Sequence, residues 1–186
     1  MALSAYRTIV ADPPWAVKRL ESPGSCNFGD HTQPLRSVRL SYPTMSTVEI
    51  AALPVGDLAA ADAHLYVWTI NRYVEDTYAI ARGWGFEPKT LLTWAKAPMG
   101  LGPGGAFSQT TEHVLFCRRG RDVRLSRADS TWWHWKRGRH SAKPEAFQDM
   151  VETVSPGPYL ELFARRKRLG WDVWGNEVES DVELVA

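Results

Sequence analysis

The residues that decide the fold are Thr8-Ile9-Val10-Ala11-Asp12-Pro13-Pro14-Trp15. The first four are apolar or β-branched and predict a buried strand, so Asp12 lies where that strand ends. Ligands of open α/β sheets bind at such strand ends. The prolines have no N–H group, which leaves the neighbouring carbonyls free to accept hydrogen bonds, and Trp15 offers a flat ring. This combination suits a planar ring that carries an exocyclic amine.

Strand and helix patterns alternate along the rest of the chain. Six apolar runs predict strands, at Thr8–Asp12, His64–Thr69, Thr90–Lys96, His113–Cys117, Tyr159–Ala164 and Trp171–Gly175. Three helices are predicted between them, from a capping box at Ser46, over about Tyr73–Arg82, and from Lys143-Pro144 onward. This alternation predicts an α/β fold with a mostly parallel sheet and helices on its faces.

Length and composition predict a single domain over residues 1–186. The chain is 44% hydrophobic and 23% charged, with a net charge of +1, which is typical of soluble globular proteins. It has no apolar run that could span a bilayer and no signal-peptide pattern, so we expect a cytoplasmic protein without a membrane partner. Cys26 and Cys117 form no Cys-x-x-Cys pair, so we expect neither a disulfide framework nor a zinc site.

Three segments, at about 16–40, 97–111 and 118–142, are predicted to be long irregular loops over the ligand site. The second contains Gly100-Leu-Gly-Pro-Gly-Gly105, which matches the GxGxxG pattern of dinucleotide-binding folds. That pattern requires a helix that opens at the last glycine, whereas this chain continues into a strand. A mobile loop over the site is therefore favoured over dinucleotide binding.

The near-zero net charge hides a basic stretch from Arg118 to Lys143. It contains nine Lys or Arg residues and two Asp residues, together with three tryptophans. Cations suit phosphates and aromatic rings suit unstacked bases, so the stretch predicts a nucleic-acid contact. The alternative is a solvated loop whose tryptophans fold back onto the core. The candidate strand-binding residues are Trp132, Trp133, Lys136, Arg137, Arg139 and His140.

Nine short motifs occur in an order and spacing that point to one family. They are ADPPW (11–15), SYPTMS (41–46), LYVWT (65–69), WGF (84–86), TWAK (93–96), EHVLF (112–116), KPEAF (143–147), YLELFAR (159–165) and GWDVWGNE (170–177). Over nearly its whole length the chain resembles the N6-adenine methyltransferases similar to the seventy-kilodalton subunit of the mRNA adenosine methyltransferase. The resemblance implies a Rossmann-like sheet in permuted order, with the catalytic strand first and the cofactor half last. It also implies S-adenosylmethionine as the cofactor.

The resemblance implies catalytic roles for the opening tetrapeptide. The Asp12 carboxylate and the Pro13 carbonyl would accept hydrogen bonds from the adenine amine, with Pro14 and Trp15 completing the motif. Trp15 and Tyr42 would hold the adenine ring. Glu112, at the start of a predicted strand, is a further candidate that would help to select the adenine edge.

A second group of residues is predicted to bind the cofactor. Lys143 precedes Pro144, which suits a first helical position, and a cation there opposes the helix dipole unless an anion is bound. The resemblance assigns Lys143 to the cofactor carboxylate, and the alternative is a solvent-exposed lysine. The full predicted set is Asp12, Lys143, Glu161, Arg165, Asn176 and Glu177. Some relatives have His-Asn at Lys167-Arg168 and Gln at Glu177, so the pocket is better defined than its individual contacts.

The sequence leaves the acceptor polynucleotide open. DNA is favoured because compact single-domain relatives are mainly DNA-modifying, and RNA is the second candidate. In a duplex the amine is hidden, so the target must be flipped out or single-stranded. A non-catalytic paralogue that scaffolds a partner is a further alternative, although Asp12, Lys143 and Asn176 are kept. A monomer and a homodimer both remain open.

Overall fold

The computed structural model describes residues 5–16, 43–96, 107, 109–136 and 143–184, and seven strands within these ranges form one sheet. The strands are β1 (Tyr6–Ala11), β2 (Ala59–Thr69), β3 (Glu87–Ala95), β4 (Thr111–Arg119), β5 (Trp132–Trp133), β6 (Tyr159–Leu162) and β7 (Trp171–Trp174). The helices are α1 (Thr47–Ala52), α2 (Val55–Leu58), α3 (Val74–Gly83) and α4 (Glu145–Val154), and a 3-10 turn over Asn71–Tyr73 precedes α3. None of the helices in the described ranges is long and apolar enough to cross a membrane.

The sheet confirms the predicted α/β class. Its strand order is β5-β3-β4-β2-β1-β6-β7. Four pairings are parallel, β1 with β2, β1 with β6, β6 with β7 and β3 with β5, whereas β4 runs antiparallel to both β2 and β3. The first strand therefore pairs with β6, which in turn pairs with β7, as the permuted order predicts. Because the chain leaves β1 on one side and returns on the other, the carboxyl end of β1 is a switch point where ligands bind.

All six predicted strands are present, and the structure adds one strand and one helix that were not predicted, both very short. β5 lies inside the segment predicted to be the irregular loop 118–142, and residues 118–119 of that segment belong to β4. The four-residue helix α2 was also not predicted. Two residues of strand or one turn of helix are too short to show a hydrophobic period.

The helix starts follow local hydrogen bonding. The capping box is confirmed, because Ser46 Oγ accepts from the Glu49 N–H at 3.2 Å and the Glu49 carboxylate accepts from the Ser46 N–H at 2.7 Å. The predicted place of Pro144 is wrong by one position. Pro144 has extended backbone and is the N-cap of α4, where its carbonyl accepts from the Phe147 N–H at 3.1 Å.

Two apolar layers cover the faces of the sheet. Ile9, Leu65 and Leu160 belong to the cluster on the face covered by α1 and α3. Val10, Trp68, Phe147 and Val151, among others, form the cluster on the α4 face. Side chains alternate between the faces along β1, so the residue after Ala11 lies on the α4 face. This alternation brings Asp12 toward the amino end of α4.

Candidate active site

Four charged side chains form a continuous series of ion pairs at the carboxyl end of β1. Lys143 Nζ lies 2.9 Å from Asp12 Oδ1 and 3.3 Å from Glu112 Oε2. The second oxygen of Glu112, Oε1, binds the ammonium group of Lys96. The four side chains are only 17–25% exposed. The predicted residues Asp12, Glu112 and Lys143 are thus brought together, and the sequence analysis missed Lys96.

The opposite charges favour the ionised forms of Glu112 and Lys143. Burial acts to raise the pKa of Glu112, but Lys143 and Lys96 outweigh it and hold that pKa below its usual value. Burial likewise acts to lower the pKa of Lys143, and the carboxylates of Asp12 and Glu112 outweigh it. At neutral pH the cluster therefore carries alternating charges that balance each other.

Tryptophan rings wall the cluster. The ammonium of Lys143 lies 5.0 Å from the ring centroid of Trp68, and that of Lys96 lies 5.3 Å from Trp94. The two indoles contact each other edge to face, with their centroids 6.0 Å apart. Cations attract the faces of such rings, and the rings reduce the access of water. Because the rings lower the local dielectric constant, they strengthen the attraction within the ion pairs.

Glu161 lies beside Asp12 on the neighbouring strand β6. It is half-buried, faces Val10 in register, and accepts a hydrogen bond from Gln148 Nε2 at 2.7 Å. Burial and the nearby Asp12 carboxylate raise the pKa of Glu161 to about 7. Glu161 is therefore close to half-protonated at neutral pH. Gln148, a buried polar residue of α4, was not predicted as part of the site.

A pocket opens on the other side of Asp12, at the carboxyl ends of β1, β6 and β7. Its walls include four of the predicted cofactor residues, Asp12, Arg165, Asn176 and Glu177. Arg165 Nε lies 3.7 Å from Glu177 Oε1. A Cβ at Gly175 would lie 2.2 Å from the Ala164 carbonyl oxygen, so this close backbone approach requires glycine. Lys143 and Glu161, by contrast, lie on the α4 side of Asp12 and are not among the residues that line the pocket.

The two proline carbonyls of the tetrapeptide accept hydrogen bonds from the backbone. The expectation of free carbonyls is wrong, because Pro13 O accepts from the Trp15 N–H and Pro14 O from the Met45 N–H, each at 2.9 Å. The first of these bonds closes a three-residue turn. A carbonyl oxygen has a second lone pair, so Pro13 retains acceptor capacity.

Trp15 is a packing residue in this structure as well as a member of the motif. It is 7% exposed, its Nε1–H donates to the Trp68 carbonyl at 3.0 Å, and its ring stacks on Tyr73 at a centroid distance of 5.0 Å. Little of the ring predicted to hold adenine is therefore open to a ligand. Tyr42, the other residue predicted to hold the ring, lies outside the described residues, as does the glycine loop 100–105.

The residues of the basic stretch lie at opposite ends of the strands of the sheet. Arg118 faces His64 in register and so lies at the edge opposite Asp12. Arg118 and Arg124 contact Asp122, and Arg121 contacts Asp62. These three arginines therefore lie away from Asp12 and are partnered by carboxylates, whereas the strand-binding candidates come from the later part of the stretch.

The tryptophans of the same stretch lie near the site. Trp133 pairs in register with Trp94, which pairs with Glu112 on the next strand. Trp133 stacks on Trp135 with centroids 5.0 Å apart, and the Trp135 carbonyl accepts from Trp94 Nε1 at 2.9 Å. Trp132 is 61% exposed and Lys136 is exposed. The candidates Arg137, Arg139 and His140 lie outside the described residues.

The match to a family model follows this geometry. Residues 6–177 match the MT-A70 model. The chain belongs to the MT-A70 family. This membership confirms the methyltransferase fold and the enzyme class predicted from the motifs, an adenine methyltransferase.

Relatives of this MT-A70 domain differ in name and in length. The type II methyltransferase M.MunI of Mycoplasma sp is 32% identical over 96% of this chain and 81% of that protein. Human N(6)-adenine-specific methyltransferase METTL4 is 28% identical over 93% of this chain and 37% of its own length. The N6-methyladenosine RNA methyltransferase MTA1 of Cryphonectria parasitica is 28% identical over 93% of this chain and 52% of its own length. The domain thus spans most of the first protein and about a third to a half of the other two.

No metal centre is visible among the residues of the MT-A70 domain that the structure describes. Within those ranges, His, Cys, Asp and Glu side chains form no group of three or more that could hold an ion.

Proposed function

We propose that this MT-A70 domain transfers the methyl group of S-adenosylmethionine to the exocyclic N6 of adenine in DNA. The observation that carries the proposal is the position of Asp12. It ends β1 at the switch point of the sheet and lies both in the wall of the pocket and in the charged cluster. A carboxylate between a pocket and a charged, aromatic-walled recess can contact both the cofactor and the adenine.

The pocket residues fit the proposed cofactor. Glu177 can accept hydrogen bonds from the two ribose hydroxyls, as acidic residues do in dinucleotide folds. Asn176 offers an amide donor and acceptor for the adenine edge, and the absence of a side chain at Gly175 lets the backbone approach Ala164 closely in the pocket wall. We also propose that Lys143 binds the carboxylate of the cofactor. In that role it would give up part of its contact with Asp12 or Glu112 to bind the cofactor instead. When bound, S-adenosylmethionine supplies an electrophilic methyl group.

Asp12 makes the adenine amine a better nucleophile. The amine lone pair is delocalised into the ring, and an acceptor on its N–H helps the nitrogen become tetrahedral. Lys143 binds Asp12 Oδ1, and we assign the other carboxylate oxygen to the amine. The carboxylate then stabilises the positive charge that develops on nitrogen, and the site supplies alignment. The remaining lone pair of the Pro13 carbonyl is the second acceptor.

We propose that the nucleic-acid strand that carries the target adenine passes over the part of the site next to β5. Trp132 exposes its ring for base stacking, and Lys136 offers a cation to phosphate. We further propose that residues 1–186 form a single catalytic domain with its long loops over the site. This domain acts as a monomer or a homodimer. The cytoplasmic location stays a prediction from the sequence.

RNA is the second candidate substrate, because the relative MTA1 is named an RNA methyltransferase. The similarity to the type II methyltransferase M.MunI over most of this chain supports DNA as the first candidate. The deciding experiment measures labelled methyl transfer to single-stranded DNA, duplex DNA and RNA of one sequence, with Asp12→Ala as the inactive reference. Faster transfer to either form of DNA supports the proposal, and faster transfer to RNA replaces it with the alternative.

The same experiment tests the scaffolding alternative. A folded protein that binds nucleic acid but transfers no methyl group to any of the three polynucleotides would be a non-catalytic paralogue. Calorimetry with S-adenosylmethionine provides an independent measurement, because a catalytic domain must bind the cofactor.

A further inference from the structure

We propose that Lys96 is a positioning residue of the methyl-transfer site: it holds the Glu112 carboxylate, which in turn keeps Lys143 beside Asp12. The inference rests on the proposed function and adds a residue to its machinery. The sequence analysis assigned Glu112 to the adenine edge and gave Lys96 no role.

The contacts place Lys96 at the end of a series of alternating charges. Lys143 is shared between two carboxylates, at 2.9 Å from Asp12 and 3.3 Å from Glu112. Each oxygen of Glu112 binds a different lysine. Both oxygens are therefore engaged within the protein, which assigns Glu112 to the placement of Lys143.

Removal of Lys96 would unbalance the cluster. The Glu112 side chain is 18% exposed, and a buried carboxylate without enough counter-charge either draws on another cation or takes up a proton. The nearest cation is Lys143, which Asp12 also needs. Two carboxylates would then compete for one ammonium, and Asp12 would lose the fixed partner that orients it.

The fold holds Lys96 in place for this task. Lys96 directly follows β3, and its backbone N–H donates to the Thr110 carbonyl at 2.9 Å. Trp94, which faces Glu112 in register, lies under the Lys96 ammonium and is fixed by the Trp135 carbonyl. Residues two apart on a strand share a face, so Lys96 reaches Glu112 diagonally. The cluster is thereby tied to the tryptophan segment at the edge of the sheet.

A positioning role predicts a change in the ionisation of Glu112 that a surface ion pair would not produce. The first test is a carbon NMR titration of glutamate carboxyls in the protein alone, with the Glu112 resonance identified by its loss in Glu112→Gln. In Lys96→Met we expect the Glu112 titration midpoint to rise by about one pH unit or more. Lys96→Arg restores the charge and is expected to return the midpoint toward that of the unaltered protein.

The second test is the pH profile of kcat/KM for methyl transfer. In Lys96→Met the acid limb is expected to move to higher pH by about the same amount as the Glu112 midpoint. A shift of one unit lowers kcat/KM about tenfold at pH values below both midpoints and leaves it little changed at pH 8. Adding Glu112→Gln to Lys96→Met removes the group that titrates and should abolish this shift. Lys89→Met is the matched control, because Lys89 pairs with the exposed Glu87 on the same strand, and its profile should not move.

The outcomes separate this inference from the proposed function. An active enzyme in which Lys96→Met leaves both the Glu112 midpoint and the acid limb unchanged would overturn the positioning role alone. A shifted midpoint with an unchanged acid limb would also overturn it, because the ion pair would then be structural only. An unaltered protein that methylates no polynucleotide would overturn the proposed function. Lys96→Gln serves in place of Lys96→Met if circular dichroism shows that the methionine variant does not fold.

Discussion

The two ends of α4 hold polar groups in opposite ways. At its amino end Lys143 joins a cluster of ionised side chains that keep 17–25% of their surface exposed. At its carboxyl end Ser155 Oγ lies 2.7 Å from both His64 Nδ1 and the Tyr66 hydroxyl, and both Ser155 and His64 are fully buried. Burial lowers the pKa of His64 and raises that of Tyr66, so this network stays neutral.

The difference separates a reactive site from a structural one. Neutral groups that are hydrogen-bonded to one another can be buried without counter-charges, and they fix how α4 lies on the sheet. Charged groups in a partly open recess need counter-charges, and a ligand can replace some of those partners. Changes at the amino end of α4 should therefore affect catalysis, and changes at its carboxyl end should affect stability.

Asp12→Asn is expected to have the largest effect. It keeps the shape of the side chain but removes the charge that stabilises the developing cation on nitrogen, so kcat should fall on the order of 10²–10³-fold. Single-turnover transfer of a labelled methyl group measures the loss, and circular dichroism verifies the fold. Asp62→Asn is the matched control at the opposite edge, where Asp62 pairs with Arg121, and it should leave kcat unchanged. Full activity of Asp12→Asn would refute the mechanism.

Glu161→Gln should raise stability in a pH-dependent manner. The pKa of Glu161 is raised to about 7 in the folded protein from an ordinary value of 4.5, so the ionised carboxyl destabilises the folded state above pH 7. Between about pH 7 and pH 4.5 the folded protein holds this proton while the unfolded chain is still ionised, so the penalty declines as the pH falls through that window. Glu161→Gln should therefore increase the free energy of unfolding by roughly 2–3 kcal/mol at pH 8 and by little at pH 4.

Urea denaturation at the two pH values measures this difference. Glu87→Gln is the control, because Glu87 is 72% exposed and lies far from Asp12. An equal effect of Glu161→Gln at both pH values would show that Asp12 and burial do not perturb Glu161.

Ser155→Ala should reduce stability without altering catalysis per folded molecule. It removes the common partner of His64 and Tyr66 and leaves two buried polar groups unpaired, which costs about 2 kcal/mol. Urea denaturation and kcat together test the separation between the two ends of α4. Ser130→Ala, at an exposed serine that bonds only its own loop, should change neither quantity. A lower kcat in folded Ser155→Ala would show that the ends are coupled.

Trp132→Ala should have the smallest effect, confined to nucleic-acid binding. Loss of one stacking ring is expected to weaken affinity for a single strand about tenfold, with the fold and cofactor affinity retained. Fluorescence anisotropy with a labelled oligonucleotide measures the change. Leu125, which is 64% exposed in the segment between the arginines and β5, provides the control variant Leu125→Ala. Equal affinities for both variants would remove Trp132 from the interface.

The local sequence pattern predicts most of the helices and strands, but it does not predict which strands pair or in which direction. Six strands and three helices follow from apolar period, β-branching and caps, which are properties of contiguous residues. The antiparallel direction of β4 and the short strand β5 depend on partners far along the chain. The split of the basic stretch follows from that direction, so composition alone could not reveal it.

The same limit applies to the site. Asp12, Glu112 and Lys143 could be named from their motifs, whereas Lys96 reaches Glu112 only because of the register between β3 and β4. Gln148 likewise depends on how α4 lies on β6. The partner of the Pro13 carbonyl is two residues away, so a closer inspection of local turns could have found it.

The place of β1 between β2 and β6 has a consequence for synthesis on the ribosome. Asp12 is made well before β6 and the residues of the pocket around Gly175, and Tyr6 bonds Asp172 across 166 positions. Contacts of such long separation form late and slowly. Asp12 must therefore wait for the other residues that line its pocket, and a nascent chain that stops before β6 lacks the pocket wall around Gly175.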